Sequence, residues 1–263
     1  MYAFEYHRPQ SLSGAVADLA KPDAKALAGG MTLLPTMKQR LASPAALIDL
    51  KSVPDLANIV REGDNLLIGA MTRHVDVARS NVVQAAIPAL ASLAGGIGDP
   101  HVRNMGTIGG SLANNDPSAD YPAAALALGA TIVTNKRRIG AADYFTGLFE
   151  TALETGELIT QVSFPIPQRA AYVKFPNPAS RYALVGVFVA KTAGGARVAV
   201  TGAGQNGVFR LSEFESALNA NFAPAALDGM SVPADGLNSD LHADADYRAH
   251  LIGVMARRAV AAA

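Results

Sequence analysis

Two glycine pairs, Gly29-Gly30 and Gly109-Gly110, constrain this chain more than any other feature. Glycine takes backbone angles closed to other residues and lets the main chain approach a neighbour or a ligand closely. The first pair lies in Ala28-Gly29-Gly30-Met31-Thr32, between a short apolar strand and a helical pattern. A strand–glycine–helix junction of this kind turns backbone N–H groups outward, where an anion such as a pyrophosphate can bind. The second pair lies in Thr107-Ile108-Gly109-Gly110-Ser111, with Asn114, Asn115, Asp116 and Asp120 behind it. The same geometry applies there, with hydroxyl donors added at Thr107 and Ser111. Two such loops suit a diphosphate better than one. Taken alone, each pair also reads as an ordinary turn.

The pattern around the pairs is mixed α and β. Tyr2, Phe4 and Tyr6 mark a strand, and Ser11 is an N-cap for a helix carrying Leu12, Ala15, Val16 and Leu19. Residues 25–28 form a strand into the first pair. A helix from near Thr32 carries Leu33, Leu34, Met37 and Leu41, and residues 46–50 form another strand. This is a βαβ-like unit ending at Pro54. Residues 58–60 and 66–70 then read as a hairpin, Thr72 as the cap of a helix to about Ser80, and 88–94 as a helix. Residues 98–120 read as loop, 123–128 as a short apolar helix and 144–149 as helical, with strands at 131–134, 139 and 158–164. Pro165 and Pro167 mark a boundary. Beyond it, strands at 171–175, 184–190 and 197–201 and helices at 211–218 and 246–262 make an α+β module, with 221–241 ambiguous.

Composition removes several function classes. Among 263 residues there is no cysteine, so disulfides, thiolate nucleophiles and cysteine-ligated iron–sulfur clusters are impossible. Lys plus Arg and Asp plus Glu are 22 each, and this balance disfavours nucleic-acid binding. Only 17% of residues are charged, which leaves room for apolar surface that something else covers. No run of apolar residues suits a signal peptide or a membrane span, so a cytoplasmic protein is the default expectation.

Catalytic side chains are hard to nominate. The five histidines (His7, His74, His101, His242, His250) have no metal-pair spacing, and only His101 lies near a candidate site. It reads better as a loop residue bonded to the backbone. Gly202-Ala203-Gly204-Gln205-Asn206-Gly207 matches the dinucleotide fingerprint by letter, but no second parallel strand ending in an acid follows, so it reads as a turn. Loops that hold a ligand without an acid–base set are expected when a cofactor carries the chemistry.

At these residues the chain resembles a known family. Phe4-x-Tyr6-x-x-Pro9-x-Ser11-Leu12 is similar to its opening, and Ala28-Gly29-Gly30-Met31-Thr32-Leu33-Leu34-Pro35 to its first FAD loop. Gly69-Ala70-Met71-Thr72-Arg73-His74 is similar to its strand-to-helix turn. The long block from Ile97 through Thr107-Ile108-Gly109-Gly110-Ser111-Leu112-Ala113 to Asp120-Tyr121-Pro122 is similar to its second FAD loop. The family is that of the FAD-binding medium subunits of molybdenum hydroxylases, which includes aerobic carbon monoxide dehydrogenase and xanthine dehydrogenase.

The resemblance implies an α+β fold. An FAD-binding domain of the PCMH/vanillyl-alcohol-oxidase type would span 1–167, with subdomains of about 1–54 and 55–167. A small α+β domain of the carbon monoxide dehydrogenase flavoprotein type would span 171–263. It implies that Ala28, Gly29, Gly30, Met31, Thr32 and Leu33 and then Thr107, Gly109, Gly110, Ser111 and Ala113 embrace the FAD diphosphate. Asp120 would touch a polar part of the cofactor, Ile159 and Lys174 would lie near the isoalloxazine ring, and Tyr182 would flank it. Met31 and Arg181 depart from the common pattern. The implied activity is that of an FAD-dependent oxidoreductase subunit. It would take electrons from the [2Fe–2S] clusters of a small subunit, beside a molybdopterin large subunit, in a dimer of heterotrimers. A self-sufficient flavin oxidoreductase of the same wider fold is the alternative, and a flavin-free scaffold a third.

Overall fold

The side chain of Ser11 accepts the Gly14 N–H at 3.1 Å and so starts the first helix. The computed structural model describes residues 1–263. Strand β1 (Glu5–His7) leads into helix α1 (Leu12–Leu19), strand β2 (Ala24–Leu27), helix α2 (Leu33–Lys38) and strand β3 (Ala46–Asp49). Both β1 and β2 pair with β3 in parallel, in the order β1-β3-β2. Ala46 and Ile48 in the central strand bury against Ala15 of α1 and Leu158. Helix α2 ends earlier than its apolar spacing predicts. Arg40 takes a left-handed φ of 62°, which breaks the helix, and Leu41 stands exposed.

A five-stranded antiparallel sheet follows. Its strands are β4 (Ile59–Glu62), β5 (Asn65–Gly69), β6 (Thr131–Thr134), β7 (Arg138–Gly140) and β10 (Ile159–Pro165), in the order β4-β5-β10-β6-β7. Helices α3 (His74–Arg79), α4 (Asn81–Ala86), α5 (Pro88–Gly95), α6 (Pro100–Met105), α7 (Ile108–Asn114) and α8 (Tyr121–Leu128) lie between β5 and β6. Thr72 does not cap α3. Arg73 holds that position, and the Thr72 hydroxyl donates instead to the Asn58 carbonyl at 3.3 Å.

Residues 98–120 are not a loop. Asp99 accepts the Val102 N–H at 2.9 Å ahead of Pro100 and opens α6. Thr107 accepts the Gly110 N–H at 3.1 Å and opens α7, which ends on a left-handed Asn115. The glycines lower intrinsic helix propensity, but burial of Ile108 and Leu112 holds the helix in place. Of the helix predicted at 144–149 only Tyr144 is helical. A short helix α9 (Ala141–Tyr144) gives way to a hairpin of β8 (Phe145–Gly147) and β9 (Glu150–Thr151). The Asn115 amide clamps its turn by donating to the Gly147 and Glu150 carbonyls at 2.9 and 2.8 Å.

The last sheet contains β11 (Arg169–Pro176), β12 (Ala183–Thr192), β13 (Gly195–Thr201) and β14 (Phe209–Arg210), antiparallel in chain order. Residues 202–208 form the connection from β13 to its antiparallel neighbour β14, so the glycine-rich letters there make a turn. One face of this sheet packs on α11 (Ala245–Ala262) and α10 (Ser212–Ala220) through Val185, Val187, Val198 and Val200. The other face sends Phe188, Ala190 and Ala199 into the same core as α5 and α8. Helix α8 is therefore buried on every side, which its wholly apolar sequence Ala123–Leu128 requires. Arg197 from β13 donates to the Leu126 carbonyl at 3.3 Å near the end of α8. At the opposite end Asp120 bonds to Tyr172 and Lys174 of β11.

Candidate functional site

A cavity of about 860 Å³ opens between the N-terminal three-stranded unit and the helices that follow β5. This is within the volume range of sites that enclose a large organic ligand. Its lining draws together residues from across the chain: residues 28–33, Thr107, Gly109, Gly110, Ser111 and Ala113, Asp120, Ile159 and Tyr182. Lys174 does not line it and sits behind Asp120. Residues not nominated as cofactor contacts complete the wall, among them Lys25, His74, Ile97, Val102, Asp116, Phe149 and the stretch 153–158.

The first glycine loop leaves β2 at Leu27 and enters α2 at Leu33. None of the five backbone N–H groups from Ala28 to Thr32 finds an acceptor within the protein. Residues 28–31 are half-buried and Thr32 is exposed, and a row of free donors beside a cavity is available to an anion. Two glycines make the row possible. Gly30 is left-handed at φ 70°. Gly29 approaches the Met105 carbonyl and Gly106 so closely that a Cβ would collide with their backbone atoms. The first loop therefore rests directly on the α6–α7 link.

The second loop is built differently, and this corrects the reading of both loops as rows of amide donors. The Ile108 N–H donates to the Thr72 carbonyl at 3.0 Å and the Gly109 N–H to the Ala70 carbonyl at 2.8 Å. The Gly110 N–H is taken by Thr107 Oγ1 and the Ser111 N–H by the Thr107 carbonyl. What this loop offers a ligand is hydroxyl groups: Ser111 Oγ is unbonded, and the Thr107 hydroxyl proton is free because its oxygen only accepts.

At the far side, a buried polar knot backs the cavity. Asp120 Oδ1 accepts from the Tyr172 hydroxyl at 2.6 Å and from the Lys174 ammonium at 2.9 Å, while Lys174 also donates to the Gly96 carbonyl at 2.8 Å. Burial pushes the Asp120 carboxyl up, against the pull of Lys174 and Tyr172. Burial and then the Asp120 charge raise the Tyr172 phenol well above its usual range. The Lys174 charge is thus committed to Asp120, and no free cation faces the cavity there. Asp116 is also pushed up by burial, with the Ser118 N–H opposing.

Tyr182 stands at the cavity edge, half exposed. A tight loop presents it. Asn177 donates its N–H to the Tyr182 carbonyl at 2.7 Å, and its side chain accepts from Ala179 and Ser180 at 2.9 and 3.1 Å. The preceding Arg181 is left-handed at φ 63°. The phenol is raised by the burial of part of its ring and by Asp116 and Asp120. A free aromatic face of this kind can stack on a planar ring system.

The histidine of the site is His74 rather than His101. His101 is exposed on α6, 3.5 Å from Asp99. His74, the first residue of α3, is 4% exposed and lines the cavity. Burial, with the nearby Arg103 charge, lowers its pKa to about 4, so the ring is neutral at physiological pH. The available signal was positional: His74 follows the end of β5, where Ala70 meets the second glycine loop.

Comparison with known proteins identifies the family. The family model described as the FAD binding domain in molybdopterin dehydrogenase matches residues 2–167. The carbon monoxide dehydrogenase medium chain of Afipia carboxidovorans is 37% identical over 279 residues, covering 98% of this chain and 96% of that one. The nicotine 6-hydroxylase medium subunit of Paenarthrobacter nicotinovorans is 33% identical over 272 residues, covering 98% and 96%. Among solved structures, quinoline 2-oxidoreductase from Pseudomonas putida 86 superposes with a TM-score of 0.90 at 30% identity, covering 100% of this chain and 97% of that one.

Proposed function

The chain belongs to the family of FAD binding domains of molybdopterin dehydrogenases, and from that premise we propose that it is the electron-carrying subunit of a molybdenum hydroxylase. The coarse assignment, an FAD-binding subunit of an oxidoreductase, follows from family membership. The finer reading adds direction: electrons arrive from [2Fe–2S] clusters on a small partner subunit and leave to an external acceptor. Substrate is oxidised on a molybdopterin large subunit. A dimer of heterotrimers, a cytoplasmic location, and the division into residues 1–167 and 171–263 belong to the same proposal. No helix is long and apolar enough to cross a membrane.

The single observation that carries the reading is the row of unpartnered N–H groups from Ala28 to Thr32 beside the cavity. A diphosphate satisfies such a row, and the cavity has room for a dinucleotide-sized ligand. The residues present fit FAD on this test. When bound, FAD supplies a redox centre able to exchange electrons one or two at a time. The chain's own part is to hold and shield it. The first loop binds through amides, Thr107 and Ser111 through hydroxyls, and Ile159 supplies apolar wall. Tyr182 covers the open edge, and Asp120, Tyr172 and Lys174 form a locked polar backing whose net charge is zero while the carboxyl stays ionised. With no cysteine, the chain leaves cluster ligation to another subunit.

The test is co-expression with the chains encoded beside it, followed by purification through a tag on this chain. The expected result is a complex with molybdenum, iron and about one FAD per copy of this chain, whose flavin is reduced by the complex's substrate. A chain that purifies alone and oxidises a small substrate by itself would instead establish the self-sufficient enzyme. Absence of flavin after reconstitution would reject the reading.

A further inference from the structure

His74 carries an unpaid hydrogen-bonding demand. Its backbone N–H is satisfied by the Gly106 carbonyl at 3.0 Å, and its ring lies against Tyr121 with centroids 5.4 Å apart. The ring nitrogens are another matter. Nδ1 is fully buried without a partner, and so is the hydroxyl of the facing Tyr121. Nε2 makes no hydrogen bond within the chain and packs beside Gly106, where even a Cβ would come within 2.6 Å of it. A neutral imidazole has one N–H to give and one lone pair to fill. Nδ1 is sealed away from the cavity and stays unpartnered, whereas Nε2 is not sealed and is the ring atom that can meet a ligand or ordered water.

The location narrows what supplies the partner. His74 lines the same cavity as the first glycine loop, and Gly106, against which it rests, also touches Gly29. The ring therefore lies under the point where the two loops meet. Arg103 lies close enough for its charge to act on the ring, and it donates to the carbonyls of Ile97 and Gly98 at 3.0 and 2.9 Å. No carboxylate bonds to the ring, so nothing in the chain would hold it as a cation.

We propose that His74 is a cofactor-binding residue, its imidazole Nε2 hydrogen-bonding to a polar atom of FAD in this cavity. The inference rests on the FAD reading above and adds to it a side-chain contact from α3, outside both glycine loops.

The experiment uses the full chain, stripped of flavin and titrated with FAD, with fluorescence quenching as readout. His74→Leu removes the hydrogen bond, and His74→Asn keeps donor and acceptor groups. The leucine variant should bind FAD about tenfold more weakly, equivalent to about 1.4 kcal/mol. The asparagine variant should recover most of that loss. Melting of the flavin-free chains gives a second readout. The leucine variant should melt no lower than the unaltered chain, because no orphaned nitrogen remains buried. A dissociation constant for the leucine variant within about twofold of the unaltered value overturns the inference. So does an asparagine variant as weak as leucine, or a flavin-free leucine variant that melts well below the unaltered chain. An unaltered chain that takes up no FAD overturns the FAD reading itself, a separate and visible failure.

Discussion

The two glycine loops share a motif and differ in what they do with it. The first Gly-Gly lies ahead of a short helix and the second inside the first turn of one, and both line one cavity. In the first, the amides from Ala28 to Thr32 are free. In the second, the amides from Ile108 to Ser111 are all consumed, by Thr72, Ala70 and Thr107. The first loop is a set of donors held open. The second is a braced wall that fixes the position of the first and offers hydroxyls. The same two letters thus supply a ligand surface in one place and a support for it in the other. What separates them is the neighbour each amide meets.

One substitution made in both loops tests this contrast, and Gly29→Ala should have the largest effect. Its Cβ would meet the Met105 carbonyl and Gly106 backbone, which cannot swing aside as a flexible side chain can. The expected loss is about 1–3 kcal/mol of stability together with nearly all FAD retention, read by denaturant melts and flavin absorbance. A variant that keeps its FAD would mean the loops do not depend on each other.

Gly110→Ala should do far less. Its Cβ would crowd Thr107 Oγ1 at 2.9 Å and reach toward Ala28 at 3.6 Å, while alanine favours the helix. The two effects should offset to within about 1 kcal/mol, with most FAD retained, because the Gly110 amide is already committed. If this variant lost FAD as completely as Gly29→Ala while staying equally stable, the second loop would be a donor surface and the contrast would break.

The smallest effect at neutral pH concerns His74. Its folded pKa is about 4, below the ordinary value near 6.5. The fold therefore favours the neutral ring. That contribution is complete above about pH 6.5 and is lost as pH falls toward 4. The melting temperature of the flavin-free chain should fall over that window more steeply than that of His74→Asn, and the difference between the two should stop changing above pH 7. Parallel curves would show that His74 is not held neutral by burial. Asp116 and Asp120, both raised by burial, are common to the two chains and cancel in the comparison.

Much of the site was legible because its chemistry is local. Gly30 needs a left-handed backbone, and Ser11 is a cap by virtue of its own side chain. Other parts were hidden for physical reasons. Helix α7 has two glycines and weak propensity, and it exists because Ile108 and Leu112 are buried. His74 looks like any surface histidine until β5 and the α6–α7 link close over it. Lys174 lies behind the cavity wall rather than on it, because the buried Asp120 holds its ammonium.

Residue identity alone determined which hydroxyls and amides existed as donors and that no cysteine-ligated cluster could be held here, but not that Arg40 and Arg181 would turn left-handed. Tertiary structure decided which of those donors stayed free. Hydrogen bonds are exclusive: an amide that meets a carbonyl in the folded chain is no longer available to a ligand, and only the packed fold brings that carbonyl into reach.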